Sequence, residues 1–594
     1  MTNLKSAKSK LNIVLAAVHL EEGPEAVPLG AACIASALKA AFASSVPGIS
    51  VTLVETFAAE GADALIEKIF AQTLSDTIDA PGTINAIGFS LYSWNRDICF
   101  EAAAQIRRDC PDIFLFCGGP EATALPGGLH ISDGGPFDAV IRGEGELAAV
   151  KLIGHRFFCE PAASPAPGTG LVTGTEPPAV LTEAELASLL SPWLDGTLTV
   201  QNRPGILWEL ARGCPYACAY CYESKGNNHV RYISEDRLQK ELKLFVKTSS
   251  AGQASAAKGT EGTYVFVLDP TFNTDNRRAL RILDMIINSN TVSEDIHWHF
   301  EVRGELLTRE QARRFARLGA SLQIGLQTAD PKVSALINRS LEREKFASKI
   351  NLLNEEGISF GLDLIYGLPG DTLAGYRKSL DFALSLYPNN LDLFRLSVLP
   401  GTILFEKMVE YGLKTDGKAP YTVISTPEFS AVDLAKAEKL SVGADVFYNR
   451  GRAVAWFNQV LYPLKMRPSV FLDEFTAWLR EKGMFIGDTD AVSDFVIGNS
   501  VEIEKLQLAF LEKFYKQKKK EKLIPAVRDI IRYHGAWGRA LAEGLSTDIN
   551  FNYEPEDVLS EDAMDIESFV ALVKMRPARA RMAPGPKGPE LLIK

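Results

Sequence analysis

The chain has 594 residues, of which 46% are hydrophobic and 23% are charged, and its formal net charge is −11. Such a length allows about three to four domains, and the composition is that of an ordinary globular protein. The acidic balance argues against a general nucleic-acid binder, which would show a basic surface. Because no apolar run approaches the length of a bilayer span and Met1–Lys10 is polar, we expect no membrane span and no secretory signal.

The N-terminal part of the chain alternates short apolar runs with helical segments, a pattern that predicts strands separated by helices. The predicted strands are Ile13–Val18, Val51–Glu55, Ile84–Phe89, Ile113–Cys117 and Ala139–Ile141. The predicted helices are Leu29–Phe42, Ala62–Thr73 and Arg96–Arg108. This α/β rhythm predicts a Rossmann-like, doubly wound parallel sheet over residues 1–155, in which ligands lie beyond the carboxyl ends of the strands.

Three loops at those carboxyl ends contain glycine pairs or aromatic residues. They are Ser90–Asn95, Gly118–Thr123 and Arg142–Glu146. Glycines allow a backbone to come close to a flat or phosphorylated ligand. The alternative is that these glycines merely turn the chain.

Residues 156–200 are rich in Pro, Gly, Ala and Thr, which predicts a linker with one short helix near Thr182–Leu190. Residues 201–428 then repeat strand and helix six times. The predicted strands are Ile206–Leu210, Tyr264–Leu268, Trp298–Val302, Leu322–Leu326, Phe360–Leu364 and Leu391–Leu396. Thr308 and Gln311 form a capping box, and Gly319 ends that helix. The repeat predicts a partial (β/α)6 barrel of the TIM type, with its active site at the carboxyl ends of the strands.

Three of the eight cysteines lie close together after the first barrel strand, at Cys214, Cys218 and Cys221. This spacing is too crowded for ordinary disulfides, but it suits three irons of a cubane cluster whose fourth iron stays open. The alternative is a structural zinc site, which needs four ligands and for which His229 is the nearest fourth candidate. The other cysteines are scattered, as small buried residues are, and unpaired thiols fit a reducing cytoplasm.

With Tyr220 directly before the third cysteine, this loop resembles the signature of the radical S-adenosylmethionine (SAM) enzymes. The resemblance implies a 4Fe–4S cluster whose open iron binds SAM, an oxygen-sensitive site, and an electron donor of the flavodoxin or ferredoxin type. It identifies no residue as catalytic with certainty. It implies SAM-binding residues at strand ends, namely Tyr220, Asp269, Pro270, Thr271, Phe272, Asn273, Glu301, Arg303, Gln327, Arg339, Gly367 and Pro369.

The N-terminal segment resembles the cobalamin-binding domain of the class B, cobalamin-dependent members of that family. The resemblance implies cobalamin contacts at Pro28, Gly30, Ser90, Tyr92, Trp94, Gly118, Gly119, Pro120, Gly143 and Glu144. The Asp-x-His-x-x-Gly motif that supplies a histidine to cobalt elsewhere is missing, because Ala17 stands two positions before His19. The resemblance therefore implies cobalamin without a protein histidine on cobalt, or a domain that has lost this cofactor.

Residues 429–575 show helical periodicity and predict a helical C-terminal domain. The predicted helices are Ala431–Phe447, Ser469–Glu481, Val501–Lys520 and Leu523–Glu543. The aromatic residues Trp456, Tyr462, Trp478, Tyr533 and Trp537 either line a substrate cavity or belong to the core. The basic run Lys516–Lys522 is either a solvated helix face or a contact for RNA or an acidic partner. Residues 576–594, rich in Pro, Gly and Arg, are predicted to be disordered.

Together these features favour a cytoplasmic, cobalamin-dependent radical SAM enzyme that methylates a carbon atom of a small molecule or peptide. One alternative is a radical rearrangement, cyclisation or oxidation without methyl transfer. Another is a tRNA methylthiotransferase, which would carry a second cluster and a basic RNA-binding module that this sequence does not contain. The last alternative is a cobalamin or redox sensor with a decayed barrel.

Overall fold

The structure, a computed structural model, describes most of the chain. The described residues are 11–42, 49–75, 84–158, 178–201, 203, 205–223, 229–251, 262–289, 296–485, 498–586 and 588–593. The polar residues 1–10 and much of the predicted linker, 159–177, lie outside them. Within the described ranges, no helix is long and apolar enough to cross a bilayer.

The N-terminal domain is built on a five-stranded parallel sheet. Its strands are β1 Leu11–His19, β2 Ile49–Phe57, β3 Ala86–Ser90, β4 Phe114–Gly118 and β5 Ala139–Val140. They lie in the order β2-β1-β3-β4-β5. All five predicted strands are confirmed, with ends that differ by at most two residues. Because neighbouring connections leave β1 and β3 in opposite directions, a crevice opens at the carboxyl ends of these strands.

Helices cover both faces of this sheet, so the predicted doubly wound arrangement is confirmed. The helices are α1 Leu29–Phe42, α2 Gly61–Ser75, α3 Arg96–Asp109, α4 Pro120–Ala124 and α5 Glu146–Phe158. Helices α2 and α3 bury Leu65 and Ile106 against one face of the sheet. Helices α1 and α5 bury Leu38 and Ile153 against the other. Strands that are buried on both faces must be apolar almost throughout, which is why they read as continuous hydrophobic runs.

The central domain is the predicted open barrel of six parallel strands. These are β6 Gly205–Glu209, β9 Thr263–Leu268, β10 Ile296–Val302, β11 Ser321–Gln327, β12 Phe360–Tyr366 and β13 Asn390–Arg395, in the order β13-β12-β11-β10-β9-β6. Two short strands, β7 Ala211–Arg212 and β8 Arg231–Tyr232, pair with each other beside the cysteine loop. The helices are α6 Glu183–Ser188 in the linker, then α7 Glu235–Ala251, α8 Asn276–Asn288, α9 Arg309–Leu318, α10 Pro331–Leu336, α11 Arg343–Glu355, α12 Leu373–Leu384 and α13 Ile403–Glu406. Thr308 and Gln311 form the predicted capping box of α9, and Gly319 ends it in the left-handed conformation.

The C-terminal domain packs on the barrel at the edge strand β13. Its helices are α14 Ala431–Ala444, a π-helical turn Asp445–Arg450, α15 Phe457–Leu461, α16 Pro468–Glu481, α17 Ser500–Gln517, α18 Ile524–Glu543, α19 Pro555–Val558 and α20 Ile566–Leu572. The π-helical turn presents Asn449, whose Oδ1 accepts from the Leu391 N–H and whose Nδ2 donates to the Leu391 carbonyl, both at 2.9 Å. This amide satisfies backbone groups that an edge strand would otherwise leave open. A small hairpin, β14 Lys414–Thr415 and β15 Val423–Ser425, precedes the domain.

Aromatic side chains form much of the core of the C-terminal domain. Phe447 lies edge-on against Trp456, Phe471 and Phe475, with ring centroids 4.9–5.8 Å apart. Trp478 also belongs to this core, whereas Tyr462 and Trp537 are exposed. The core interpretation is therefore confirmed for Trp456 and Trp478. None of the five aromatic residues named from the sequence lines the large cavity described below.

The prediction of a disordered tail over residues 576–594 is wrong for the residues that the structure describes there. An antiparallel sheet joins β16 Thr547–Phe551, β17 Ala578–Gly585 and β18 Gly588–Ile593. Ala580 and Met582 face α18 and are buried, while Arg579 and Arg581 between them are exposed. The Pro, Gly and Arg content of this segment hid a two-residue alternation that is typical of a half-buried strand.

Candidate active site

A cavity of about 1060 Å³ lies between the N-terminal domain and the barrel. Gly30, Tyr92 and Gly118 line it from the N-terminal domain, and Gly213 and Glu301 line it from the barrel. Its volume exceeds the roughly 300–1,000 Å³ that is usual for pockets holding one small ligand. The carboxyl ends of both sheets border this space, as the sequence predicts for each domain separately.

The three clustered cysteines lie in a loop that the barrel holds at several points. Cys214 and Cys218 are buried, and Cys221 is half-buried. The Cys221 N–H donates to the Cys218 carbonyl at 3.1 Å, which keeps the turn tight. Ala219 lies between them, donates its N–H to the Ile337 carbonyl at 3.0 Å, and accepts from the Leu404 N–H at 2.8 Å. The segment after β11 and helix α13 therefore fix the loop.

The surroundings of the loop fit an iron–sulfur cluster better than zinc. His229, the candidate fourth zinc ligand, is largely exposed and lies 3.0 Å from Glu183. Among the described residues, no three His, Cys, Asp or Glu side chains converge on one ion. A cubane does not require such convergence, because its thiolates bind three different irons.

Polar groups lie beside two of the sulfur atoms. Arg303 Nη1 is 4.0 Å from Cys218 Sγ, and Thr271 Oγ1 is 3.5 Å from Cys214 Sγ. The Arg303 guanidinium also stacks on the Tyr216 ring, 3.8 Å from its centroid. Hydrogen bonds to sulfur are one of the features by which a protein sets the potential of a bound cluster.

Several of the residues predicted to bind SAM adjoin the cysteine loop. Asp269, Pro270 and Glu301 line the large cavity together with Gly213. Burial raises the pKa of the Glu301 carboxyl. Asn273 connects two strand ends, because its Nδ2 donates to the Arg303 carbonyl at 3.0 Å and its Oδ1 accepts from the Arg303 N–H at 2.9 Å.

Tyr220 and Arg339 form a second group beside the cysteine loop. Arg339 Nη1 donates to the Tyr220 hydroxyl at 3.0 Å, and Nη2 donates to the Gly325 carbonyl at 2.8 Å. Burial raises the pKa of Tyr220 to about 12, so the phenol is neutral at physiological pH. Gln327 has a φ of 67°, which is uncommon for a residue other than glycine. A pocket of about 120 Å³ adjoins Arg339 and Gly325.

Eight of the twelve predicted SAM residues line neither cavity, and three of these are packed elsewhere in the barrel. The Phe272 side chain packs against Phe300 and Phe315 in the barrel core. Gly367 points toward Val423 on β15, and Pro369 is buried without lining either cavity. The structure therefore does not place these three residues on the wall of either cavity.

The loop after β12 also contains an incompletely paired carboxyl group. Asp371 is 2% exposed, its Oδ1 accepts from the Thr372 N–H at 2.7 Å, and its Oδ2 has no hydrogen-bond partner. Burial raises the pKa of Asp371 from 3.8 to about 7, against the opposing effect of the Thr372 N–H. The neutral form is thus the one that this site favours.

We expect the neutral Asp371 to stabilise the fold fully below about pH 4, and this contribution to disappear as the pH rises through about 7. In Asp371→Asn this pH dependence of stability is absent, because the asparagine side chain does not titrate. The free energy of unfolding of the variant should therefore rise relative to wild type between about pH 4 and pH 7, by at most about 1.4 kcal/mol per pH unit. Anaerobic thermal melts measure this, with the exposed Asp112→Asn as a control. Parallel pH profiles for Asp371→Asn and wild type would contradict the expectation.

Most of the residues predicted to contact cobalamin line the large cavity. Those that do are Gly30, Ser90, Tyr92, Gly118, Gly119, Pro120, Gly143 and Glu144. Pro28 and Trp94 do not. Trp94 instead supports the cavity wall, because it stacks on Tyr92 with ring centroids 4.4 Å apart and donates to the Val18 carbonyl at 3.0 Å.

At two of these positions the surrounding protein backbone itself requires glycine. Gly119 has a φ of 104°, and a Cβ there would lie 2.6 Å from the Leu91 carbonyl oxygen. A Cβ at Gly143 would meet the backbone of Ala179. The alternative interpretation, that the glycines turn the chain without contacting a ligand, therefore explains Gly119 and Gly143. His19 Nε2 lies 3.0 Å from Glu55 Oε2, and His19 does not line the cavity, in agreement with the missing cobalt-ligand motif.

Other residues of the cavity wall were not predicted from the sequence. Among them are Glu209, Arg212, Tyr222, Glu223 and Arg231. Only Arg212 carried a local signal, because a cation stands two positions before the first clustered cysteine. Burial raises the pKa of Glu223, with the carboxylates of Glu209 and Glu144 contributing. The remaining residues reach the wall through contacts that are distant in sequence.

Comparisons with known proteins agree with this arrangement. Residues 208–383 match the family described as the Radical SAM superfamily. The chain is 26% identical over 385 residues to the cobalamin-dependent radical SAM methyltransferase TokK of Streptomyces tokunonensis, covering 59% of this chain and 52% of that protein. It is 24% identical over 354 residues to 2-(S-pantetheinyl)-carbapenam-3-carboxylate methyltransferase of Streptantibioticus cattleyicolor, covering 57% of this chain and 50% of the relative. The chain thus spans about half the length of these curated relatives.

The fold also matches a solved structure over nearly the whole chain. The cobalamin-dependent SAM radical enzyme OxsB with aqua-cobalamin bound superposes with a TM-score of 0.57 at 13% identity, covering 94% of this chain and 83% of that one. This likeness concerns the fold. Residues 208–383 therefore form a radical SAM domain, and the chain as a whole has the fold of that solved structure.

Proposed function

We propose that this protein is a cobalamin-dependent radical SAM methyltransferase that methylates a carbon atom of a small molecule or peptide. The observation that carries the proposal is the shared cavity, which is bordered by both the cysteine loop and the strand-end loops of the N-terminal domain. A substrate in this space would face both sets of loops. The curated names of the two relatives, both methyltransferases, support this proposal.

The residues present fit the three groups that such an enzyme needs. Cys214, Cys218 and Cys221 would hold the 4Fe–4S cluster. Tyr220, Asp269, Pro270, Glu301 and Arg339 would surround SAM, and the loops at Ser90–Asn95, Gly118–Thr123 and Arg142–Glu146 would hold cobalamin. When bound, the cluster and SAM supply a carbon radical that removes hydrogen from the substrate, and cobalamin supplies the methyl group.

The chain contributes positioning and the exclusion of water. Asn273 and Arg339 fix the strand ends and the aromatic residue beside the cysteines, so the walls near the cluster are rigid. On the opposite side, Tyr92 lines the cavity and is held in place by stacking on Trp94. Exclusion of water protects a reactive radical from side reactions. We further propose that a reductant of the flavodoxin or ferredoxin type supplies the electron.

A radical rearrangement, cyclisation or oxidation without methyl transfer is the second candidate. It is favoured by one observation: the packing of Gly119 against Leu91 and of Gly143 against Ala179 explains both glycines without any ligand. If the N-terminal domain does not bind cobalamin, the barrel alone would support this chemistry.

The test is anaerobic purification and reconstitution with iron, sulfide and hydroxocobalamin, followed by metal and corrin analysis. The methyltransferase proposal predicts about four irons and one corrin per chain. With SAM and a reductant, it predicts S-adenosylhomocysteine that forms only when corrin is present, together with 5′-deoxyadenosine. Formation of 5′-deoxyadenosine by a protein that retains no corrin and forms no S-adenosylhomocysteine would favour the second candidate instead.

A further inference from the structure

A group of buried charges connects the N-terminal domain to the strand that leads into the cysteine loop. Arg212 Nη2 donates to Glu146 Oε1 at 2.7 Å, and Arg212 Nε donates to Glu209 Oε1 at 2.8 Å. Arg212 Nη1 is 3.4 Å from Glu144 Oε1. Because Glu209 lies in the barrel and the other two carboxylates lie in the N-terminal domain, one guanidinium joins the two domains.

A second cation reinforces the same connection. Arg231 Nη1 donates to Glu144 Oε2 at 2.6 Å and to the Leu181 carbonyl at 2.6 Å. The Leu181 N–H also donates to Glu144 Oε2, at 2.5 Å. Arg231 is on β8, whose partner strand β7 contains Arg212. The loop Gly143–Glu146 is thus bound to both strands that flank the cysteine loop.

Two of the side chains in these contacts are almost fully buried, so the ion pairs should contribute to stability. The side chains of Glu146 and Arg231 are 6% and 5% exposed. Removing one partner of a buried ion pair leaves an uncompensated charge and is strongly unfavourable, whereas exposed pairs contribute little. Glu146 is also the first residue of α5, where a negative charge is favoured by the helix dipole. We call the set Glu144, Glu146, Glu209, Arg212 and Arg231 the domain clamp.

We propose that the domain clamp holds the Gly143–Glu146 loop against the cysteine loop, so that Glu146 and Arg231 are positioning residues for the corrin ligand. The inference rests on the proposed function. The cavity is made from both domains, and its corrin-facing loop is attached to the barrel through these side chains. Loosening the clamp should therefore weaken corrin binding while leaving the cysteine loop able to hold iron.

Because other contacts between the two domains remain, we expect the clamp variants to fold. Glu121 Oε2, in helix α4, accepts from the Tyr421 hydroxyl at 2.8 Å and is buried. Arg96 Nη1 lies 3.4 Å from the same oxygen. This separate contact is not part of the clamp and remains in its variants.

The test uses reconstituted full-length protein with Glu146→Gln and Arg231→Met, and with Arg309→Met as a control that removes the exposed pair to Glu355. We expect the two clamp variants to bind hydroxocobalamin at least about tenfold more weakly, with iron content and SAM affinity unchanged. Arg231→Lys should restore part of the affinity, and the control should match wild type. Hydroxocobalamin affinity equal to wild type in both clamp variants would overturn the proposal.

A second measurement separates this inference from the proposed function. Amide hydrogen exchange in the corrin-free protein should become faster over residues 139–146 and 205–212 in Glu146→Gln. If wild type binds no hydroxocobalamin, the proposed function fails, and hydrogen exchange alone decides the clamp. Unchanged exchange in both segments would overturn it.

Discussion

Replacing Cys218 with alanine is expected to remove most of the bound iron and to lower 5′-deoxyadenosine formation by more than about 100-fold. Loss of a residue that only supports a metal ligand costs about 10–100-fold, and loss of a ligand itself should cost more. The same result is expected for Cys214→Ala and Cys221→Ala, because each thiolate would bind a different iron. Iron and sulfide analysis and chromatography of the reaction products measure the effect.

The matched control for these variants is Cys110→Ala. Cys110 is a free, half-buried cysteine that lies outside the loop, in the N-terminal domain. Its iron content and product formation should equal those of wild type. The interpretation of the loop would be contradicted if all three loop variants kept their iron, or if Cys110→Ala lost it.

Replacing Arg278 with methionine is expected to produce the largest loss of stability among single changes near the site. Arg278 is 4% exposed; its Nη1 donates to Asp269 Oδ2 at 2.7 Å, and its Nη2 donates to the Leu210 carbonyl at 3.0 Å. Its guanidinium also lies over the Tyr232 ring, 4.1 Å from the centroid. Arg278 therefore connects Leu210, which precedes the cysteine loop, with Asp269 in the loop after β9.

Without this cation, Asp269 would be a buried carboxylate with no positive partner, so we expect a loss of about 3–5 kcal/mol in the free energy of unfolding. SAM binding should also weaken, because Asp269 Oδ1 orders the predicted SAM loop by accepting from the Thr271 N–H at 3.1 Å. Anaerobic unfolding and equilibrium SAM binding measure both effects.

Arg281→Met, three residues further along the same helix, is the control for Arg278→Met. Arg281 forms an exposed pair with Glu235, and its loss should change the free energy of unfolding by no more than about 0.5 kcal/mol. Arg278→Lys should lie between wild type and Arg278→Met, since it keeps the charge but loses the two-pronged contact. Equal stabilities for Arg278→Met and Arg281→Met would show that the buried pair does not hold the loop.

Local sequence signals predicted the features of the fold that local interactions determine. Helix α1 occupies its predicted bounds, and the capping box at Thr308 follows from two residues three positions apart. The cysteine loop was recognisable for the same reason, because its three cysteines lie within eight residues of one another. The apolar strands were recognisable because burial on both faces leaves no other composition.

Features that depend on contacts distant in sequence were not predictable in this way. Arg212 and Glu146 are 66 positions apart, and Asn449 and Leu391 are 58 apart. No local pattern links such residues. The role of Gly119 was ambiguous for the same reason, since only the fold brings Leu91 against it. Strand β17 was not predictable from composition, because its Pro, Gly and Arg residues are those of a disordered segment although buried and exposed residues alternate along it.

The central claim is that the three cysteines of one loop would hold a 4Fe–4S cluster with one iron left open for SAM. Electron paramagnetic resonance of the anaerobically reduced protein, recorded with and without SAM, tests it most directly. We expect the signal of a reduced 4Fe–4S cluster, and we expect SAM to change it, because SAM would bind the open iron. The absence of such a signal in iron-replete protein, or a signal that saturating SAM leaves unchanged, would contradict the claim.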